Sequence, residues 1–506
     1  MGTTSSRRWS NTPVRFGLLP VAFLLYAVAE AADPKPLIVY GTYLGGRYKE
    51  CATAIAVDRT GSAYVAGRTP SPDFPVTAGA FRNSARVNND DWTGFVSKIG
   101  EHGDRLLYST FLGGGFRTSV NAIAVDSAGR ASVGGSTCSS DFPVTRLALF
   151  RKPPGSDKTD LCDGFVATLN AEGSRLEYGT YLGGSCEDAV STVALSPGDD
   201  VIYAGGHTAS PDFAVTETAP QPKLEGLSNG FLSAIDARSG KLMYSTYLGG
   251  TGNDWVTGIA IAPSGAVYVC GVTESFNWPG TALMRFGKQG GTDGFVIRLD
   301  PSGTQRPLGL RIEGSGNERL TGIAVDLRGD IYAAGSTDST DFPAAGANSG
   351  ASGGAFVVKM DGRRFARPNG VIWSRRLGGH GDDVLLSVSA GMPGSIFVSG
   401  RSGSKDFAVT KNAIYRRLEA DNDSILMRLR ASDGSVEFAT FVGGTRIPHA
   451  SWYNDEATGV AANATGDVYV TGCTLDERLP VTPTAFQPRP KGNSEAFVLR
   501  LKFPRP

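Results

Sequence analysis

The side chains best suited to chemistry in this chain are carboxylates that recur at one spacing. Glu50, Asp188, Asp254 and Asp383 each stand four residues after the second glycine of a Leu-Gly-Gly string. Acids carried to one end of a fold by a repeat can ring the mouth of a channel, and an oxygen-rich ring is what Ca2+ takes. The competing reading is that each acid accepts hydrogen bonds from amides of its own turn, as short Asp-containing loops do without metal. No EF-hand alternation of acids is present, so no cofactor is expected, Ca2+ being the one ion the pattern would admit.

Other catalytic chemistry finds little support. His102, His207, His380 and His449 fall at unrelated places, with no pair at metal-ligand spacing. There is no Gly-x-Ser-x-Gly elbow and no phosphate-binding loop. The adjacent acids Asp199-Asp200 and Asp382-Asp383 would face opposite ways on a strand.

These residues need elements to position them, and composition says which. The chain has 506 residues, 67 of them glycine and 28 proline, with 41% hydrophobic and 19% charged. That is too long for one ordinary core, too apolar for disorder, and rich enough in turn residues to disfavour long helices. Lysine plus arginine balances aspartate plus glutamate at 49 each, so no overall field draws the chain to nucleic acid or anionic lipid. Residues 1–31 read as a signal peptide. Arg7, Arg8 and Arg15 precede the apolar run 16–28 (FGLLPVAFLLYAV), and Ala29-Glu30-Ala31 offers a small-x-small cleavage site. Thirteen apolar residues are too few to span a bilayer, so a secreted, periplasmic or cell-surface protein without a membrane span is expected.

Beyond the leader, TYLGG or a close relative recurs with its first glycine at 45, 113, 183, 249, 314, 378 and 443, the fifth copy being the degenerate RIEGS. The spacings, 68, 70, 66, 65, 64 and 65 residues, enclose the same further segments in the same order. In the fourth unit these are 258–262 (GIAIA), 266–271 (AVYVCG) and 294–299 (GFVIRL), short β-branched runs bounded by turn residues. The Asp-x-x-Gly link between the first two suits a tight hairpin. Seven such four-stranded antiparallel units predict an all-β, seven-bladed β-propeller over residues 32–506. The lone strand 37–44 (LIVYGTYL) should pair with the lone strand 496–501 (AFVLRL) and close the ring, removing open edges.

The units resemble the bacterial SBBP (seven-bladed beta-propeller) repeat. Its TYLGG, GIAVDxxGxxYVxGxT, SxDFPVT and DGFVxKL elements appear at 43–46, 55–69, 73–77 and 94–99. Departures fall in the fifth unit (Arg311-Ile312-Glu313), the sixth (387–400) and at Asn277-Trp278-Pro279, which stands where DFP is expected. The resemblance implies an exported or surface-associated propeller and brings no catalytic mechanism.

Two functions follow. The first is binding or adhesion through a loop-rich face, the partner a protein or a glycan, with Trp92, Trp255, Trp278 and Trp452 on the predicted rim beside the longest inserts, 83–93 and 146–163. The second is a lyase or hydrolase at the channel mouth. The recurring Phe74, Phe142, Phe213, Phe342 and Phe407 are assigned to packing between sheets. Export permits disulfides. In a propeller Cys51 and Cys473 meet at the ring closure, and Cys138 should join Cys162 or Cys186, while Cys270 sits in a strand core.

Overall fold

The computed structural model describes residues 1–2, 35–85, 91–155, 161–278, 281–288, 290–343, 354–367, 369–419, 421–443, 455–475 and 477–504. Its contacts divide the chain into Met1–Asp33 and Pro34–Pro506. The leader expected at 1–31 falls almost wholly outside the described residues.

The second unit is a seven-bladed propeller with seven separate sheets. Blade one shows the plan. Its strands Cys51–Val57, Ala63–Thr69, Thr93–Ile99 and Leu106–Leu112 run outward from the channel, each antiparallel to the last. The hairpin between the inner pair forms because Asp58 Oδ1 accepts the amides of Thr60 and Ser62, at 2.9 and 3.1 Å, while Gly61 takes φ 83°. Closure is as the sequence predicts: Leu37–Leu44 pairs antiparallel with Glu495–Lys502 as the outermost strand of blade seven.

The core lies between blades rather than inside any one. One cluster joins Tyr64 and Val96 of blade one to Val120, Val133 and Phe165 of blade two. The DFPVT phenylalanines wedge into these seams, Phe74 lying 4.5 Å from Phe95 and Phe142 4.3 Å from Phe165 between ring centroids.

The four-strand plan has one exception. Blade four gains a fifth strand, Ala282–Phe286, parallel to Leu308–Ile312 on the outer edge. It follows shortly after the Asn277-Trp278-Pro279 segment that stands where DFP is expected. The strand carrying Arg311-Ile312 is the fourth strand of blade four, inside the added one, and does not belong to a fifth blade.

A belt of side chains ties the innermost strands together. Thr53 Oγ1 donates to the Val120 carbonyl, Asn121 Nδ2 to that of Val190, Thr257 to Leu320, Thr321 to Leu385 and Thr458 back to Ala52, at 2.5–3.0 Å. Each residue is one left unpaired at the register shift in its strand, a bulge that turns its side chain towards the next blade.

Candidate binding face at the channel mouth

The repeated carboxylates are buried, at 0–1% exposure, in matching polar knots. Glu50 accepts the Gly46 amide at 3.0 Å and the Thr69 hydroxyl at 2.9 Å. Asp188 accepts from Gly184 and Ser210, Asp254 from Gly250 and Ser275, and Asp383 from Gly379 and Ser404, all at 2.7–2.9 Å. Ser71 and Asp73 of the S-x-D-F element accept the Tyr48 and Arg47 amides, locking the same loop. The second glycine of LGG is required by space: a Cβ on Gly46 would lie 2.6 Å from the Ser71 Cβ. These acids therefore hold loops and do not form an open ring at the channel mouth. Among the described residues no group of three or more His, Cys, Asp or Glu side chains could hold a metal ion.

Two further knots escape the sequence pattern. Glu318 accepts the Gly314 amide at 2.5 Å and the Thr337 hydroxyl at 2.6 Å, so Gly314 is the second glycine of its loop and Glu313 replaces the first. The register read from RIEGS is corrected by one residue. The same four-residue spacing from Gly314 was the available signal. In blade seven the place belongs to Asp455, which accepts the Leu475 amide at 2.6 Å.

A second set of acids begins third strands and faces these knots across the blade seams. Burial first, then the Asp188 carboxylate, pushes Asp163 up to about 7. Burial likewise raises Asp188 to about 6 and Glu50 to about 7. Asp163 Oδ1 and Asp188 Oδ1 are buried with no hydrogen-bond partner. One seam further on, Asn229 stands in the place of Asp163 and donates to Asp254 at 3.1 Å.

The RIE departure is a compensated substitution. Tyr181 and Tyr247 donate their hydroxyls to the carbonyls of Ser139 and Ser210, at 2.6 and 2.7 Å. Arg311, 3% exposed, stands in the corresponding place and donates Nη1 to the Ser275 carbonyl at 2.7 Å. Its charge is met by Asp293 and Glu313, and Arg285 of the added strand also reaches Glu313 at 2.9 Å.

The open chemistry lies where LGG loops and second-to-third-strand loops emerge together. Trp92 is half-buried, with the guanidinium of Arg68 at 5.4 Å and that of Arg117 at 5.9 Å from its ring. Trp255 is half-buried on the innermost strand of blade four. Trp278 is not on the rim: at 7% exposure it packs 4.9 Å from Phe295, filling the wedge that DFP phenylalanines fill elsewhere. Trp452 lies outside the described residues, as does His449. A cleft of about 500 Å3 opens between blades five and six, lined by Arg319, Asp338 and Asp382 among others. His102 is exposed beside Glu101, His380 is exposed on Asp406, and burial lowers His207.

Disulfides join Cys51 to Cys473 and Cys138 to Cys162. Cys186 and Cys270 are free thiols, the latter buried and pushed up to about 12.

The SBBP family model, described as a beta-propeller repeat, matches residues 316–343. The regulatory protein FlaEY of Caulobacter vibrioides is 26% identical over 271 residues, which are 51% of this chain and 26% of that protein. The chain thus spans about a quarter of that relative's length. Among solved structures, the hydrazine synthase of Kuenenia stuttgartiensis aligns over 84% of this chain and 92% of its own at 12% identity and TM-score 0.45. The RRP9 WD40 repeats align over 93% and 100% at 10% identity and TM-score 0.47. With seven sheets in the described chain, six of four strands and one of five, and the ring closed by the pairing of Leu37–Leu44 with Glu495–Lys502, this is a seven-bladed β-propeller that carries an SBBP repeat at residues 316–343.

Proposed function

We propose that the chain is an exported interaction propeller that binds a protein or glycan partner on the face where the LGG loops emerge. The observation that carries this reading is asymmetry between the two ends. One end is made of tight hairpins such as Asp58–Gly61, whereas the other gathers the long inserts with Trp92, Trp255, Arg68, Arg117 and Arg319. Aromatic and arginine side chains are the composition of binding hot spots. The disulfides support an oxidising compartment, and no helix among the described residues is long and apolar enough to cross a membrane. The test is capture of ligands by the full chain from panels of surface proteins and polysaccharides. Binding lost in Trp255→Ala or Arg319→Ala and kept in Lys241→Ala, on the hairpin end, is expected; binding indifferent to all three overturns the reading.

A second reading, a lyase or hydrolase at the channel mouth, draws on the cleft that holds Arg319, Asp338 and Asp382. Polysaccharide turnover abolished by Asp382→Asn would favour it.

A further inference from the structure

At the upper edge of blade one, two arginines from different elements converge on one indole. Arg68 ends the second strand, Arg117 lies in the loop entering blade two, and Trp92 immediately precedes the third strand. The Trp92 carbonyl is held by the Thr118 amide at 3.1 Å, so the ring is fixed to the same loop that carries Arg117. Arg117 also lies 5.0 Å over the Phe116 ring.

Among the described residues neither guanidinium has a carboxylate oxygen recorded within hydrogen-bond reach. Arg68 is exposed and makes no ion pair with a carboxylate among the described residues. Arg117 pairs with Asp91 at 3.9 Å, beyond hydrogen-bond reach, and its buried Nε has no hydrogen-bond partner among the described residues. The group that matches a planar guanidinium fork is a carboxylate, which takes two parallel N–H bonds. Stacking on Trp92 and Phe116 holds the guanidiniums in place before a ligand arrives, reducing the ordering cost on binding.

We infer that this edge binds an acidic segment, rich in Asp and Glu, of a partner protein. The inference rests on the interaction reading above and names its partner class. A protein is favoured over a uronate polysaccharide because guanidiniums already occupy the space over the indole that a stacked sugar would need. Trp and Arg, with the half-exposed Phe116 beside them, also make a protein hot spot.

The test titrates a synthetic Glu-rich peptide and, separately, polygalacturonate onto the full chain. The peptide should bind, weaken with added salt, and lose about tenfold or more in affinity in Arg68→Ala and in Arg117→Gln. Arg68→Lys should recover only a minor part, because it restores charge without the fork. Arg68 is exposed, so its variants keep the assay meaningful should Arg117→Gln fold poorly. Peptide binding that is absent, or unchanged in Arg68→Ala, overturns the inference. So does Arg68-dependent binding of polygalacturonate alone. A captured partner lost in Trp255→Ala yet indifferent to Arg68→Ala would overturn it too, while leaving the interaction reading of the face intact.

Discussion

Arg311 illustrates how one residue's chemistry is decided by its neighbours. It stands where Tyr181 and Tyr247 stand in blades two and three, repeats their hydrogen bond, and needs Asp293 and Glu313 only because it brings a charge. Arg311→Tyr alone should cost about 3–5 kcal/mol, since it leaves acids buried beside a neutral ring. Adding Asp293→Asn should recover much of that loss in urea denaturation, Glu313 still having Arg285. The seam acids give a pH signature. Glu50, Asp163 and Asp188 have folded-state values raised to about 7, 7 and 6, so the fold holds protons that the unfolded chain releases. Their contribution is full below the usual carboxylate range and is lost as pH rises to about 7. The melting temperature should accordingly fall between pH 5 and pH 8. Asp163→Asn should flatten that fall and raise stability at pH 8, because an asparagine there can donate to Asp188 as Asn229 donates to Asp254.

Among the elements, what the sequence made legible is what repeats with a local cause. The Asp-x-x-Gly hairpins and DFPVT wedges follow from turn chemistry and apolar spacing within a few residues, and both stand in the structure. The acids four residues after LGG were legible as a pattern. Their role as loop locks was one of two readings, settled by Thr69 and Ser210, which lie some 20 residues downstream. Glu318 was missed because glycine alone set the alignment, and Trp278 was placed on the rim because nothing local shows an indole standing in for phenylalanine. The inter-blade belt was illegible for a different reason: Thr257 and Leu320 meet only once two blades pack, 63 residues apart. Thr257→Val, Thr321→Val and Thr53→Val should each cost about 1 kcal/mol, the net worth of one hydrogen bond plus part of an unsatisfied carbonyl. Hydrogen exchange should rise in the innermost strands on both sides of each altered seam; a rise confined to one blade would assign the threonines a merely local role.

For the whole molecule, stability depends on the ring being closed, and two independent devices close it, one within blade seven and one between blade seven and blade one. One is the antiparallel pairing of Leu37–Leu44 with Glu495–Lys502, and the other is the Cys51–Cys473 bond, with a sequence separation of 422. Deleting residues 32–46 should expose an edge on the Glu495–Lys502 strand and lower the melting temperature steeply. In the chain-entropy model the long bond is worth about 6 kcal/mol as an upper value, against about 3.5 for Cys138–Cys162 with its separation of 24. Cys51→Ser with Cys473→Ser should therefore lower the denaturation midpoint more than Cys138→Ser with Cys162→Ser. The reverse order would mean that strand pairing alone carries the closure.

The same arrangement has a mechanical consequence. Leu37 opposes Lys502 in the register, so both chain ends leave the propeller from one end of a single strand pair. A pull between anchor points on the two ends would load that pair in unzipping geometry, breaking its hydrogen bonds one after another rather than together. Peeling would run from Leu37 up to Leu44 and arrive at Cys51, where a covalent bond to Cys473 halts it. Under tension the propeller would thus yield a short, defined length of slack at low force and then hold, the other six blades still folded behind the stop. In a reducing environment the stop is gone, and the same pull would pass on into the ring.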